Sequence, residues 1–139
     1  MLRLIVGEKG KGKTKILLDE ANTQIKTAHG SIVYLDKSTK HMYELNNRIR
    51  LIDVSSYNLK SSENFIGFIK GIISQDHDLE QVYLDSFLKI AVTDEEHVEE
   101  LFRELEAIGS QYGITFVVSA SIPASSVSDA FKDSVLAAL

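Results

Sequence analysis

The sequence contains no cysteine, no tryptophan and only one proline among its 139 residues. The absence of cysteine excludes disulfide bonds and thiolate metal sites, and we expect a protein of the reducing cytoplasm. No apolar run approaches the roughly 18 residues of a membrane-spanning helix, and the first ten residues lack the pattern of a signal peptide. With eight glycines and one proline, the chain is not of low complexity. These absences predict one soluble domain over residues 1–139.

The chain carries 20 acidic and 15 basic residues, a formal net charge of −5 at pH 7. Proteins that bind nucleic acid usually show a basic surplus or a basic stripe, so we do not expect nucleic acid as the main partner. The four histidines, at positions 29, 41, 77 and 97, have none of the close spacings of a transition-metal site. The composition therefore argues against nucleic acid and against a transition metal as the ligand.

Five apolar, β-branched runs recur at wide spacing along the chain. Most are continuously apolar, which is typical of strands covered on both faces, whereas the run at 48–54 alternates and is predicted at a sheet edge. Stretches of helical period separate these runs, and this alternation predicts a parallel sheet with helices on both faces. The fold class expected is α/β, a three-layer sandwich with a mostly parallel five-stranded sheet. The predicted strands are 2–6, 31–35, 48–54, 81–85 and 114–120.

Helices are predicted at 14–28, 62–74, 94–110 and about 125–138, with a short one within 39–47. In the clearest of them, 94–110, five apolar residues share one face. Thr93 and Glu96 before it have the spacing of a capping box. Ligands of open parallel sheets collect at the carboxyl ends of the strands, so we expect functional residues in the loops that follow the strands.

The segment 7–14, GEKGKGKT, places three glycines and three lysines directly after the first predicted strand. Glycines allow the backbone N–H groups of such a loop to point inward and form an anion-binding nest. The helix predicted to begin near Lys13 adds unpaired N–H groups and the positive end of its dipole. Lys13 can reach the phosphates of a nucleotide, and the hydroxyl of Thr14 can ligate Mg²⁺.

Gly7, Gly12, Lys13 and Thr14 match the spacing G-x-x-x-x-G-K-[ST] in full, directly after a strand and at the start of a helix. In these residues the chain resembles the P-loop NTPases, whose Walker A motif has this pattern. The resemblance implies the P-loop NTPase fold, ATP and Mg²⁺ as ligands, and a catalytic role for Lys13. The nucleotide-binding residues that it implies are Gly7, Glu8, Lys9, Gly10, Lys11, Gly12, Lys13, Thr14 and Lys15.

The same family has a second motif, an apolar strand that ends in an aspartate near the Mg²⁺ ion. The segment VYLD at 82–85 fits this motif and makes Asp85 the expected magnesium residue beside Thr14. The same string at 33–36 makes Asp36 a rival. The order of the motifs favours Asp85, because the magnesium aspartate usually comes later in the chain than the strand that directly follows the P-loop helix.

The layout is most similar to the RecA-like branch of the family, in which a further strand lies between the two motif strands. This resemblance places 114–120 in the middle of the sheet. It makes Ser119, near the end of that strand, a candidate catalytic contact to the γ-phosphate or the attacking water. An equal alternative is that Ser119 and Ser121 only turn the chain before Pro123.

Two departures from the family pattern bear on hydrolysis. A glutamate commonly follows the magnesium aspartate, and Ser86 stands at that position here. Asp36, or with less support Asp53, could supply the missing carboxylate from a neighbouring strand, and general-base groups typically contribute about 10²–10⁴-fold to the rate. None of the four arginines is placed to act as an arginine finger, so a partner protein or another copy of the chain would have to supply one.

Three functions remain open. The first is a Mg²⁺-dependent ATP-binding protein with slow or partner-stimulated ATPase activity, with GTP disfavoured because no N-K-x-D string is present. The second is a small-molecule kinase, against which the lack of an arginine-rich lid argues. The third is a non-catalytic nucleotide sensor or regulatory subunit, which Ser86 and the missing arginine favour. For contact with the base, residues 41–43, Tyr34, Tyr57 and Tyr112 are candidates among which the sequence does not choose.

Overall fold

The computed structural model describes residues 1–139 as an alternation of parallel strands and helices, joined by loops and 3₁₀ turns. Its strands are β1 (Leu2–Val6), β2 (Ser31–Asp36), β3 (Arg50–Asp53), β4 (Leu79–Leu84), β5 (Thr115–Ala120) and β6 (Val135–Ala138). Its helices are α1 (Lys13–Gln24), α2 (Ser62–Ser74), α3 (Phe87–Ile90) and α4 (Val98–Tyr112). None of these helices combines the length and the apolar composition that crossing a membrane requires.

The six strands form one parallel sheet in the order β3-β2-β4-β5-β1-β6. Because β5 lies between β4 and β1, the predicted central position of segment 114–120 is confirmed. The predicted edge position of the alternating run at 48–54 is confirmed as well, since β3 is an outer strand with one neighbour. The sheet therefore has the predicted parallel character but one strand more than the five expected.

The prediction of a helix at about 125–138 is wrong, because the sixth strand lies within this segment. Two 3₁₀ turns, Ala124–Ser126 and Asp129–Ser134, lead into β6, which pairs with β1 along its otherwise open edge. Val127 and Phe131 are buried as a helical spacing would bury them, but the turns achieve this without a regular helix. The backbone groups at the edge of β1 gain hydrogen-bond partners in this way, and that gain outweighs the local preference for a helix.

Helices cover both faces of the sheet. On one face α1 packs through Leu17, Leu18 and Ala21 onto buried side chains of the central strands. The other face, covered by α2, α3 and α4, holds the larger part of the core, including four buried phenylalanines that contact one another in sequence. The face under α1 also contains the stacked pair Tyr34 and Tyr83, which come from adjacent strands.

The helix boundaries differ from the prediction at their ends. The 62–74 helix is confirmed as α2, whereas α1 ends at Gln24 rather than 28 and the short 39–47 segment forms only the 3₁₀ turn Met42–Glu44. Helix α4 begins at Val98, and the capping box of Thr93 and Glu96 does not form. Instead the Asp94 carboxylate accepts a hydrogen bond from the backbone N–H of His97 at 3.0 Å, and the helix begins one residue after His97. The five apolar residues predicted on its inner face are all buried: Val98, Leu101, Phe102, Leu105 and Ile108.

Candidate functional site

A polar cleft of about 490 Å³ lies where the loops after β1, β2, β4 and β5 converge at the carboxyl ends of the strands. This is the end of an open parallel sheet at which ligands usually bind. Its lining comes from the loop between β1 and α1, from the loop after β2, from α3 with the residues just before it, and from the end of β5. The residues that line it are Lys9, Gly10, Gly12, Lys13, Thr14, Asp36, Lys37, Ser38, Lys40, His41, Asp85, Ser86, Leu88, Lys89, Ser119 and Ser121.

The loop between β1 and α1 curls tightly over the amino-terminal end of α1. Gly10 and Gly12 have φ values of 84° and 90°, a region of backbone conformation that side chains with a Cβ rarely adopt. Gly12 is also the residue that precedes the first turn of α1, and no side chain caps that turn. The first turn contains no acidic residue either, so its free N–H groups have no internal anion and are available to an external one.

Lys13 lies back over this loop instead of extending into solvent. Its ammonium group donates a 2.8 Å hydrogen bond to the carbonyl oxygen of Glu8, and the residue is 7% exposed. Burial lowers the pKa of Lys13, although the nearby carboxylate of Asp85 acts in the opposite direction. The loop therefore holds a cation directly beside its own backbone N–H groups.

Asp85, the residue directly after β4, is buried and is the most heavily hydrogen-bonded side chain of the cleft. Its Oδ1 accepts hydrogen bonds from the Ser119 hydroxyl at 2.7 Å, the Ser86 N–H at 2.8 Å and the Thr14 hydroxyl at 3.2 Å. Its Oδ2 accepts one from the Tyr34 hydroxyl at 2.8 Å. The structure thus brings together Thr14, Asp85 and Ser119, three of the residues that the sequence nominated.

Asp36, the last residue of β2, lies in the same cleft and is equally buried. Its Oδ1 accepts a 2.7 Å hydrogen bond from the N–H of Lys37, whereas its Oδ2 is buried without any partner. Burial, and then the charge of Asp85, raise the pKa of Asp36 above its ordinary value. A buried carboxylate oxygen with unused acceptor capacity is rare in folded proteins, and here it belongs to a residue that lines the cleft.

Four nominated residues of the 7–15 loop do not line the cleft. Gly7 approaches Leu139 closely, and Glu8 contributes only the carbonyl oxygen that Lys13 contacts. Lys11 is exposed, and Lys15 points away along α1 towards Asp19, with 3.5 Å between the ammonium nitrogen and the nearest carboxylate oxygen.

Three further lysines line the cleft that were not predicted from the sequence: Lys37, Lys40 and Lys89. They could have been nominated, since all three fall in loops that follow predicted strands. The sequence also made Tyr34 a candidate for stacking on a base, whereas this side chain is fully buried and its hydroxyl contacts Asp85. Position in a strand gives no signal for such a contact.

None of the four arginines lines the cleft. Arg3 contacts Glu20 at 3.4 Å, and Arg103 contacts Glu99 at 2.6 Å on the outer face of α4. Arg48 and Arg50 border a separate cleft of about 500 Å³ beside the amino-terminal ends of β2 and β4. The permanent positive charges of the candidate site therefore come from lysine side chains.

No protein-family model matches this sequence, and no curated protein matches it significantly. No group of three or more histidine, cysteine, aspartate or glutamate side chains is placed to hold a metal ion.

Proposed function

We propose that this chain is a P-loop NTPase of the RecA-like type that binds ATP together with Mg²⁺ and hydrolyses it slowly or under the control of a partner. One observation carries the proposal: the Gly10–Gly12 loop and the uncapped start of α1 face the same cleft as a Thr14–Asp85 hydrogen bond. An anion nest, a lysine and a hydroxyl–carboxylate pair are the groups that a magnesium nucleotide requires.

The oxygen donors of the cleft fit Mg²⁺. This ion is usually held by one or two carboxylates or hydroxyls together with phosphate oxygens and waters, so a dedicated cluster of acidic side chains is not needed. Thr14 and Asp85 would hold it, and their side-chain oxygens are already adjacent at 3.2 Å. When bound, the ion would neutralise charge on the phosphates.

Hydrolysis requires a group that orients the attacking water, and Asp36 is the candidate. Asp36 lines the cleft, and its Oδ2 has acceptor capacity that no group of the chain uses. Burial and the charge of Asp85 raise the pKa of Asp36, which makes it a stronger base than an ordinary aspartate. Ser119, hydrogen-bonded to Asp85, also lines the cleft, and we assign it a contact to the terminal phosphate.

A second candidate function is a nucleotide sensor that does not turn ATP over. Ser86 supports it, because its side chain provides no carboxylate and its N–H is occupied by Asp85 and Ser119. The absence of arginine from the cleft supports it too, since the charge that speeds hydrolysis would then have to come from a partner or a second copy of the chain.

The test is a calorimetric titration of the native chain with Mg·ATP and Mg·GTP, in parallel with two lysine variants. We expect the native chain to bind ATP and Lys13→Ala to lose about 10- to 100-fold in affinity, the effect of removing a charged hydrogen-bond donor. Lys15→Ala is the matched control, since it removes a lysine two positions away whose side chain is 82% exposed and outside the cleft. It should bind ATP within about twofold of the native chain.

Equal binding by the native chain and Lys13→Ala, with both folded, would contradict the proposed site. Release of phosphate over hours with protein in excess over ATP separates the two candidate functions. A slow release that Asp36→Asn abolishes supports the ATPase, and tight binding without release supports the sensor.

A further inference from the structure

The buried hydroxyl of Tyr34 contacts the carboxylate that we assign to magnesium. Tyr34 lies on β2, next to β4, and its ring is completely buried beneath α1. Its hydroxyl donates a 2.8 Å hydrogen bond to Asp85 Oδ2 across 51 residues of sequence. It is the only hydrogen-bond donor to that oxygen within the chain, whereas Oδ1 has three donors.

This division of donors determines how the Asp85 carboxylate is oriented. Oδ1 is the oxygen that contacts Thr14, the other residue expected to hold the metal ion. Because Tyr34 binds Oδ2, the carboxyl group cannot rotate about its last bond without breaking a charge-assisted hydrogen bond in a buried setting. Together with the Ser86 and Ser119 donors on Oδ1, Tyr34 therefore keeps Oδ1 directed towards Thr14.

We propose that Tyr34 is a positioning residue that orients Asp85 for Mg²⁺ and thereby sets the magnesium requirement of ATP binding. The inference rests on the proposed function and extends it to a side chain that no ligand would touch. Partners that orient a metal-ligating group from behind typically change metal affinity or activity by about 10- to 100-fold when they are removed.

Tyr83 provides a matched control within the same core. It is the register partner of Tyr34, its ring is equally buried, and the two rings stack with centroids 6.2 Å apart and planes 8° from parallel. Its hydroxyl donates to Gln81 at 2.6 Å and does not reach Asp85. Tyr83→Phe thus removes a tyrosine hydroxyl from the same stack without touching the carboxylate.

The experiment measures the Kd of ATP in EDTA and over a series of Mg²⁺ concentrations for the native chain, Tyr34→Phe and Tyr83→Phe. Urea unfolding of each protein confirms that it is folded. We expect Tyr34→Phe to raise the Mg²⁺ concentration of half-maximal effect about tenfold, with the Kd in EDTA within about twofold of native. Tyr83→Phe should leave both values unchanged. In an Asp85→Asn background, Tyr34→Phe should cause no further loss of the response of ATP binding to Mg²⁺.

A second readout needs no change at Tyr34. In native protein carrying ¹³Cζ-labelled tyrosine, adding Mg²⁺ to the ATP complex should shift the Tyr34 resonance and leave that of Tyr83 in place. If Tyr34→Phe responds to Mg²⁺ as the native chain does, or if the Tyr34 resonance does not move, the positioning role of Tyr34 is refuted. Either result would leave the proposed magnesium site itself standing. A native chain whose ATP affinity does not respond to Mg²⁺ would refute the magnesium site, and the inference with it.

Discussion

Replacing Asp36 by asparagine should make this protein more stable and less active. The carboxylate is 2% exposed, and one of its oxygens has no partner. Its pKa is raised by burial and by Asp85, so between the ordinary value of 3.8 and the folded value the native state binds more protons than the unfolded state. Asp36 therefore costs stability above its folded pKa, and that cost disappears as the pH falls below 3.8.

The magnitude follows from the like charge and the burial together. Leaving a buried polar atom without a hydrogen-bond partner costs about 1–3 kcal/mol, and solvent at the mouth of the cleft screens part of that cost. We expect Asp36→Asn to raise the free energy of unfolding by about 0.5–1 kcal/mol at pH 7, measured by urea denaturation. The gain should shrink as the pH is lowered, because the native carboxyl becomes neutral as well. Single-turnover phosphate release should meanwhile fall by about 100-fold or more.

Asp53→Asn is the control for both effects. Asp53 is the register partner of Asp36 on β3, but it lies outside the cleft and its Oδ1 already accepts hydrogen bonds from the N–H and hydroxyl of Ser55. An asparagine oxygen can accept the same bonds, so stability and phosphate release should stay close to native. If Asp36→Asn gained no stability, the claim that the buried charge of Asp36 destabilises the fold would fail. If it retained full turnover, the assignment of Asp36 as the general base would fail.

The remaining predictions concern α4 and the loop before it. Phe102→Ala should lower the free energy of unfolding by about 3–5 kcal/mol, because the ring is 2% exposed and packs against two other phenylalanines. Tyr112→Ala, on the same helix but 49% exposed, should cost under about 1 kcal/mol in the same urea experiment. Equal losses would contradict the packing described. The Asp94 carboxylate, 2.8 Å from the His97 ring, raises the pKa of that histidine, so Asp94→Asn should return it towards 6.5 in an NMR titration. An unchanged His97 pKa would mean that the pair does not form in solution.

Much of the fold was predictable because its signals are local. Continuous apolar runs separated by helical periods predicted a parallel sheet, and the alternating run at 48–54 predicted an edge strand, since each pattern reports which faces of one element are covered. The prediction of a helix over 125–138 was wrong because the structure of this segment depends on a distant part of the chain. Whether Val135–Ala138 extends into a strand depends on the open edge of β1, which lies more than a hundred residues away in the sequence.

The amino-acid sequence by itself determined the loop at 7–14, because glycine spacing and the lysine–threonine pair act through backbone conformation and local charge. Only the tertiary structure decided what surrounds it. Thr14 and Tyr34 meet Asp85 across 71 and 51 residues, and one oxygen of Asp36 is buried without a partner. Such contacts arise from the order in which strands pair, and strand order depends on the packing of the whole sheet and its helices, which no short pattern encodes.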